Sequence, residues 1–109
     1  MAPVTGSIDT SKNKWGKIGG GFLYHASDYS SNTFTLDVVA GHSWPGAGYV
    51  ALRLCDSSGT CQAQQQITEG YPWTYSKTVT LVDGRRYYIE QYRDKDNRVV
   101  RMGRATLIQ

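Results

Sequence analysis

Few residues in this chain could carry out acid–base or nucleophilic chemistry. The 109 residues include two histidines, His25 and His42, and the serines lie in segments with the composition of turns. A Ser-His-Asp set could be assembled from His42, Ser43 and Asp37, but the G-x-S-x-G spacing of a nucleophile elbow does not occur. The G-x-G-x-x-G, P-loop and H-E-x-x-H motifs are also missing from the sequence. We therefore predict that the protein is not an enzyme, that it has no catalytic residue and that it uses no cofactor.

Glu90 is the best candidate for a catalytic base if the protein does have an activity. It lies in the segment RYYIEQYR, where alternation places Tyr88, Glu90 and Tyr92 on one face of a strand. A small secreted nuclease or toxin could combine this glutamate with the nearby Arg86 and Arg93. The competing interpretation, which we adopt, is an exposed strand face on which Glu90 is paired with an arginine.

Cys55 and Cys61 bracket a short turn-forming segment, Asp-Ser-Ser-Gly-Thr, in which Gly59 can take a positive φ. A hairpin here sets the two cysteines opposite each other, at a separation that a disulfide can bridge. Two free thiols and a metal site are the alternatives, and the metal site lacks further cysteine or nearby histidine ligands. We therefore predict a local disulfide and no metal site. A disulfide implies an exported protein, because disulfides persist in oxidising compartments.

Charge and hydropathy narrow the possible partners. The net charge of +3 is mild, and residues 77–109 carry the largest excess, with eight basic residues against four acidic ones. Outward-facing arginines and lysines of strands account for this excess, so a nucleic-acid partner is not expected, although the basic end could contact an acidic partner. No apolar run approaches the ~18 residues of a membrane span. The start, Met-Ala-Pro-Val-Thr-Gly, resembles a mature secreted N-terminus, and with the disulfide it predicts an extracellular location.

Two segments carry a tryptophan beside a proline, and both have the composition of loops: His42–Gly46 and Tyr71–Tyr75. Tyrosine and tryptophan bury a large area at little entropic cost and keep a polar tip, which suits a binding surface. The same side chains can instead close the end of a small core. We expect Tyr75 to pack at the start of a strand and Trp73 to be displayed. The residues predicted to bind a partner are Trp15, His42, Trp44, Tyr71, Trp73 and Tyr75.

Short strands must position these side chains. Seven segments have strand-like composition, and most of them alternate between apolar and polar residues. They comprise residues 15–25, 33–39, 49–55, 61–68, 77–81, 86–93 and 99–108. Bulges are expected at Gly19–Gly21 and at Gly103, where glycines interrupt the alternation. Residues 1–14 are predicted to be a flexible N-terminal arm, so that residues 15–109 form a single domain.

The segment LVDGRRYYI carries a recognisable spacing of Leu81, Gly84 and Tyr87. It resembles the tyrosine corner of fibronectin type III and immunoglobulin-like domains. The resemblance covers about 30 residues. It implies an all-β, two-sheet antiparallel sandwich of about seven strands, in which the hydroxyl of Tyr87 bonds to the backbone at the corner between two strands. The chain departs from the family at Gln91, where an inward apolar residue is expected, and in lacking the inter-sheet disulfide. The resemblance therefore implies an architecture and a structural role for Tyr87, but no activity.

These observations favour a small secreted, non-catalytic binding or adaptor module. We expect it to recognise a protein partner or a cell-surface glycan through its aromatic loops, with the N-terminal arm or the glutamine-rich edge strand adding to the contact. The chain also looks like small actinobacterial secreted proteins, which include protease inhibitors and the adaptor subunits of secreted toxin particles. An inhibitor would use the disulfide-held segment Asp56–Thr60 as its exposed loop.

Overall fold

The computed structural model describes residues 14–42, 49–95, 98 and 100–109. Residues 1–13 of the predicted arm and Trp44 of the predicted binding set lie outside these described residues. Within them, the chain forms seven strands and one turn of 3₁₀ helix, η1 (Ala26–Asp28). The strands are β1 (Lys14–Leu23), β2 (Thr33–His42), β3 (Val50–Asp56), β4 (Cys61–Gln66), β5 (Trp73–Thr80), β6 (Arg86–Arg93) and β7 (Val100–Ile108). None of the described residues forms a helix that is long and apolar enough to cross a membrane.

The strands form two antiparallel sheets, which confirms the predicted sandwich. One sheet has the strand order β1-β6-β3-β4 and the other has the order β5-β2-β7. Alternation along each strand turns apolar side chains toward the space between the sheets. In β2 these are Phe34, Leu36 and Val38, none of which is more than 3% exposed. Burying each side chain of this size stabilises the fold by about 1.5–3 kcal/mol.

The corner between β5 and β6 is held by Tyr87. The backbone N–H of Val82 donates a hydrogen bond to the Tyr87 hydroxyl at 2.7 Å, and Tyr87 is itself buried. Gly84 takes a φ of +80°, a conformation that favours glycine, and Leu81 is buried beside the corner. The chain that follows β1 ties the corner down, since the N–H of Gly84 donates to the carbonyl oxygen of Tyr24 at 2.9 Å.

The first and last strands have exchanged sheets relative to the immunoglobulin arrangement. In that arrangement the first strand lies beside the second, and the last lies beside the sixth. Here β1 pairs with β6, and β7 pairs with β2. The central pairs β2–β5 and β3–β6 are those of the immunoglobulin order. The strand order therefore matches that arrangement in its central pairs and departs from it at β1, at β7 and at β4, which pairs with β3 instead of β5.

Both predicted glycine bulges are present. The β1–β6 register jumps from Ile18 opposite Ile89 to Phe22 opposite Tyr87, so three glycines of β1 span one residue of β6. Gly21 has a φ of +72°, and a Cβ there would collide with the carbonyl oxygen of Tyr87. The β2–β7 register shifts between Val39 and Ala40, which leaves Gly103 as the extra residue. Each bulge thus depends on a residue without a side chain.

The predicted aromatic loop at 71–75 is partly a strand. β5 begins at Trp73 and pairs with β2 as far as Thr80, whereas the sequence pattern placed its start at Lys77. The peptide bond between Tyr71 and Pro72 is cis and directly precedes the strand. Alternation then continues without interruption through the inward-facing Trp73, Tyr75, Lys77 and Val79. The prediction failed because this inward series begins with aromatic residues that also suit a loop.

Candidate functional site

The two sheets present very different outer faces to solvent. The outer face of the three-stranded sheet is rich in threonine and serine, as expected for a hydrated strand surface. Its members include Thr33, Thr35, Thr74, Ser76, Thr78 and Thr80, all exposed. The outer face of the four-stranded sheet instead carries four aromatic and three charged side chains. We call this set the aromatic face: Trp15, Lys17, Tyr49, Arg53, Tyr88, Glu90 and Tyr92.

Strand register assembles the aromatic face from distant parts of the chain. Trp15 of β1 lies opposite Tyr92 of β6, and Lys17 lies opposite Glu90. On its other side, Glu90 lies opposite Arg53 of β3. Side chains that are opposite each other on neighbouring strands are close enough to interact directly. The face is therefore a set of cross-strand pairs, and it exists only when β1 and β3 both flank β6.

An ion pair occupies the centre of the face. Arg53 donates to the same oxygen of Glu90, Oε1, from Nε at 3.0 Å and from Nη2 at 2.8 Å. The two side chains are only 24% and 14% exposed. The guanidinium carbon of Arg53 also lies 3.9 Å from the ring centroid of Trp15. Arg53 is thus held by a carboxylate and by a cation–π contact, which together fix its orientation. The arginine that pairs with Glu90 is thus Arg53, on the neighbouring strand β3.

The aromatic rings form a connected row at one end of the face. Trp15 and Tyr92 have ring centroids 5.5 Å apart, and Tyr49 meets Tyr92 edge to face, also at 5.5 Å. Gln64 donates a hydrogen bond to the Tyr49 hydroxyl at 3.0 Å. At the other end of the face, the ammonium group of Lys17 lies 4.0 Å from the centre of the Tyr88 ring. These contacts restrict the rotamers before any partner binds, which lowers the entropic cost of binding.

Tyr71 lies on the opposite side of the molecule, against the three-stranded sheet. Two glycines make room for it: a Cβ at Gly41 would collide with the Tyr71 backbone, and a Cβ at Gly103 would lie 2.6 Å from the Tyr71 hydroxyl. The guanidinium of Arg101 covers the ring at 4.1 Å. The N–H of His42 donates to the carbonyl oxygen of Glu69 at 2.9 Å, which holds the same segment in place. Tyr71 therefore packs onto the sheet surface, beside a groove of about 280 Å³.

Trp73 and Tyr75 face the interior from the edge strand β5. Their ring centroids are 5.3 Å apart, and both rings pack against the hydrophobic core while remaining partly exposed. Burial raises the pKa of the Tyr75 hydroxyl above its ordinary value. Of the residues predicted to bind, Trp15 lies on the aromatic face, whereas Tyr71, Trp73, Tyr75 and His42 lie on or near the three-stranded sheet. Among the described members of the predicted set, the structure therefore separates Trp15 from the other four.

Sequence reasoning did not assign Tyr49, Tyr88, Tyr92 or Arg53 to a binding surface. The available signal was in RYYIEQYR, where two of the outward positions are tyrosines and no threonine or serine appears. Their partners could not be recognised, because the pairing of β6 with β1 joins segments about 70 residues apart.

The hairpin between β3 and β4 carries the predicted disulfide between Cys55 and Cys61, with Cα atoms 4.0 Å apart. Asp56 is buried inside its turn, where Oδ1 accepts hydrogen bonds from the N–H groups of Ser58 and Thr60. Arg85 donates to Oδ2 at 2.8 Å. Burial alone would raise the pKa of Asp56, but hydrogen bonds from Ser58, Arg85 and Thr60 outweigh it and lower the pKa to about 2.

Glu90 also lies close to the disulfide. Its carboxylate and the two cysteine sulfurs are all within 4.8 Å of one another. No histidine accompanies Glu90 on the aromatic face in the part of the chain that the structure describes, since His25 follows β1 and His42 ends β2. Acid–base catalysis there would depend on a carboxylate already engaged by Arg53.

Comparison of the chain with protein-family models, with curated proteins and with solved structures finds no match. The case for a function therefore rests on the residues and the geometry described above.

Proposed function

We propose that the protein is a non-catalytic binding module and that the aromatic face is its contact surface for a partner protein. The observation that carries this proposal is the contrast between the two outer faces. The β2–β5 part of one face is a hydrated threonine and serine surface, with Tyr71 and Arg101 toward β7, whereas the other face collects tryptophan, three tyrosines and an arginine. Tryptophan, tyrosine and arginine are the residue types that dominate the energetics of protein interfaces.

The size of the face supports a role as the centre of a larger contact. Three strands about 4.8 Å apart and five residues of about 3.4 Å each give an area of roughly 250 Å². A typical stable interface buries about 800 Å² on each partner. The aromatic face thus accounts for a cluster of high-energy contacts, and the surrounding loops supply the remaining area. A protein partner provides such an area more readily than a small molecule, which prefers a concave pocket.

We also propose that the protein acts outside the cell. The disulfide between Cys55 and Cys61 supports this location, because such bonds persist where the surroundings are oxidising. A rigid, half-buried aromatic surface without a catalytic group suits an adaptor that holds a second protein.

Site-specific photo-crosslinking from the two outer faces tests the proposal. A photoreactive phenylalanine analogue replaces Tyr88 in one variant and Thr78 in the other, and each is exposed to cell-surface and secreted proteins of the source organism. We expect discrete crosslinked partners from position 88 and none from position 78. Excess wild-type protein should compete for them, and an Arg53→Ala variant should compete at least tenfold less well. Equal crosslinking from both positions, or equal competition by Arg53→Ala, would refute the assignment. Binding to a glycan array that is lost in Arg53→Ala would replace the protein partner with a carbohydrate.

A further inference from the structure

We propose that the β3–β4 hairpin has a second, reduced state in which Cys55, Cys61 and Glu90 bind a zinc ion. The three residues lie on three adjacent strands, in the order β6, β3 and β4. Cys55 is opposite Cys61 on one side and opposite Tyr88 on the other, so that Glu90 is its diagonal neighbour on β6. The site shares Glu90 and Arg53 with the aromatic face and forms only when the disulfide is reduced, so it is a state separate from the oxidised, extracellular one proposed above, and its metal binding is measured without a partner protein.

Once the disulfide is opened, the three ligand atoms are close enough to reach one tetrahedral ion. Zinc binds thiolate sulfur at about 2.3 Å and carboxylate oxygen at about 2.0–2.2 Å, which places two sulfurs about 3.8 Å apart and a sulfur and an oxygen about 3.5 Å apart. The two sulfurs and the Glu90 carboxylate already lie within 4.8 Å of one another. Opening the disulfide therefore requires only a small outward movement of the sulfurs. A water molecule can complete the coordination, as it does in zinc sites with three protein ligands.

Arg53 supplies the support that a metal-binding carboxylate usually needs. Both of its hydrogen bonds end on Oε1 of Glu90, so they orient the carboxylate without engaging Oε2. Ligating carboxylates are commonly held by such hydrogen bonds. Two thiolates and one carboxylate around Zn²⁺ leave a net charge of −1, which the guanidinium of Arg53 neutralises. Arg53 thus becomes an outer-shell partner of the metal, acting through its hydrogen bonds to Glu90.

An added reductant converts the disulfide of the hairpin into the two thiols that zinc needs. A dithiol cleaves the S–S bond by becoming a disulfide and giving up its two thiol protons, or a water-soluble phosphine does so by becoming a phosphine oxide with the oxygen and two protons of a water molecule; either leaves Cys55 and Cys61 as thiols. Zinc then replaces the proton of each thiol, and two protons are released per ion bound. Cys61 is partly exposed, which gives the reductant and the metal access, while Cys55 is buried. In the oxidised protein both sulfurs are consumed by the disulfide, so zinc cannot bind between them.

Metal titration of the oxidised and the reduced protein tests this inference. Co²⁺ serves as the probe, because thiolate coordination produces charge-transfer absorption and a tetrahedral site produces visible d–d bands. We expect the phosphine-reduced wild type to bind one equivalent and to release it to one equivalent of Zn²⁺, with an apparent Kd for zinc below about 1 µM at pH 7.5. The oxidised protein should show neither band.

Two carboxylate variants separate the proposed site from thiol binding alone. Glu90→Gln should weaken zinc binding at least tenfold, whereas Glu69→Gln, which changes an exposed carboxylate elsewhere, should not alter it. Equal affinity of the Glu90→Gln variant and the wild type would overturn the proposal, as would Co²⁺ spectra that do not depend on reduction. If reduction unfolds the chain, circular dichroism follows the strand signal while Zn²⁺ is added. Recovery of the strand signal supports the proposed zinc site, and failure to recover it refutes the proposal.

Discussion

Replacing Tyr87 with phenylalanine tests how much the β5–β6 corner depends on one hydroxyl group. The Tyr87 side chain is 1% exposed, and its hydroxyl accepts the N–H of Val82 at 2.7 Å. The substitution keeps the ring, which stacks on Phe22 with centroids 5.9 Å apart. It therefore removes one hydrogen bond and leaves the hydrophobic contacts in place.

The expected loss follows from the donor that is left without its acceptor. An unsatisfied buried backbone group costs about 1–3 kcal/mol. The Val82 side chain is 44% exposed, so water can approach this corner and replace part of the lost bond. We therefore expect the free energy of unfolding to fall by about 1–2 kcal/mol. For a urea m-value of about 1–3 kcal/mol/M, this lowers the unfolding midpoint by roughly 0.3–2 M.

Urea unfolding followed by tryptophan fluorescence measures this change, and the neighbouring residue provides a matched control. Tyr88 is half-buried on the outer face of the same strand, and Tyr88→Phe should change the free energy of unfolding by less than about 0.5 kcal/mol. If the two variants lose the same stability, or if Tyr87→Phe loses less than about 0.5 kcal/mol, the corner does not act through its hydrogen bond and the reasoning fails.

Three further substitutions test other parts of the fold. Gly21→Ala should destabilise the protein by more than about 2 kcal/mol in thermal unfolding, because its φ is +72° and its Cβ would collide with backbone, whereas Gly20→Ala, which has open space, should be within about 0.5 kcal/mol of wild type. The folded-state pKa of Asp56, about 2, lies below its ordinary value of 3.8. Its carboxylate thus stabilises the fold above about pH 4 by on the order of 1–2 kcal/mol and loses this effect as the pH falls toward 2. Unfolding measured at several pH values should show the gap between wild type and Asp56→Asn closing over that window, and a constant gap would contradict the assignment. Replacing Cys55 and Cys61 together with alanine should cost about 2 kcal/mol, the value expected for so short a loop, and a change below about 0.5 kcal/mol in urea unfolding would argue against it.

Local alternation was sufficient to predict the strands with a clear apolar face. In residues 33–39 the inward Phe34, Leu36 and Val38 alternate with polar residues, and the strand forms there as expected. The start of β5 was missed because Trp73 and Tyr75 occupy inward positions of a strand while resembling loop aromatics. The burial of Trp73 and Tyr75 distinguishes a strand from a loop at this position. That burial depends on β2, the strand that pairs with β5.

The candidate site was harder to predict than the fold. Trp15 was selected from the sequence, and Tyr88, Glu90 and Tyr92 were placed on one face of a strand. Their common surface depends on which strands flank β6, and the usual immunoglobulin order would have put a different strand beside it. The partner of Glu90 likewise followed from register, since Arg53 is 37 residues away in the chain. Side-chain patterns within a strand carry no information on such neighbours.

The pairing of β1 with β6 also has a consequence for how the chain folds. Leu23 is opposite Arg86, so the two strands meet only after a loop of about 60 residues has closed. Closing a loop of this length costs about 2 kcal/mol more entropy than closing one of about 10 residues, and pairings at such separation slow folding. The β2–β5 and β3–β6 pairs can form before it. We therefore expect Trp15 to join the molecule in a late step, and until that step β6 would present Tyr88 and Tyr92 along an open strand edge.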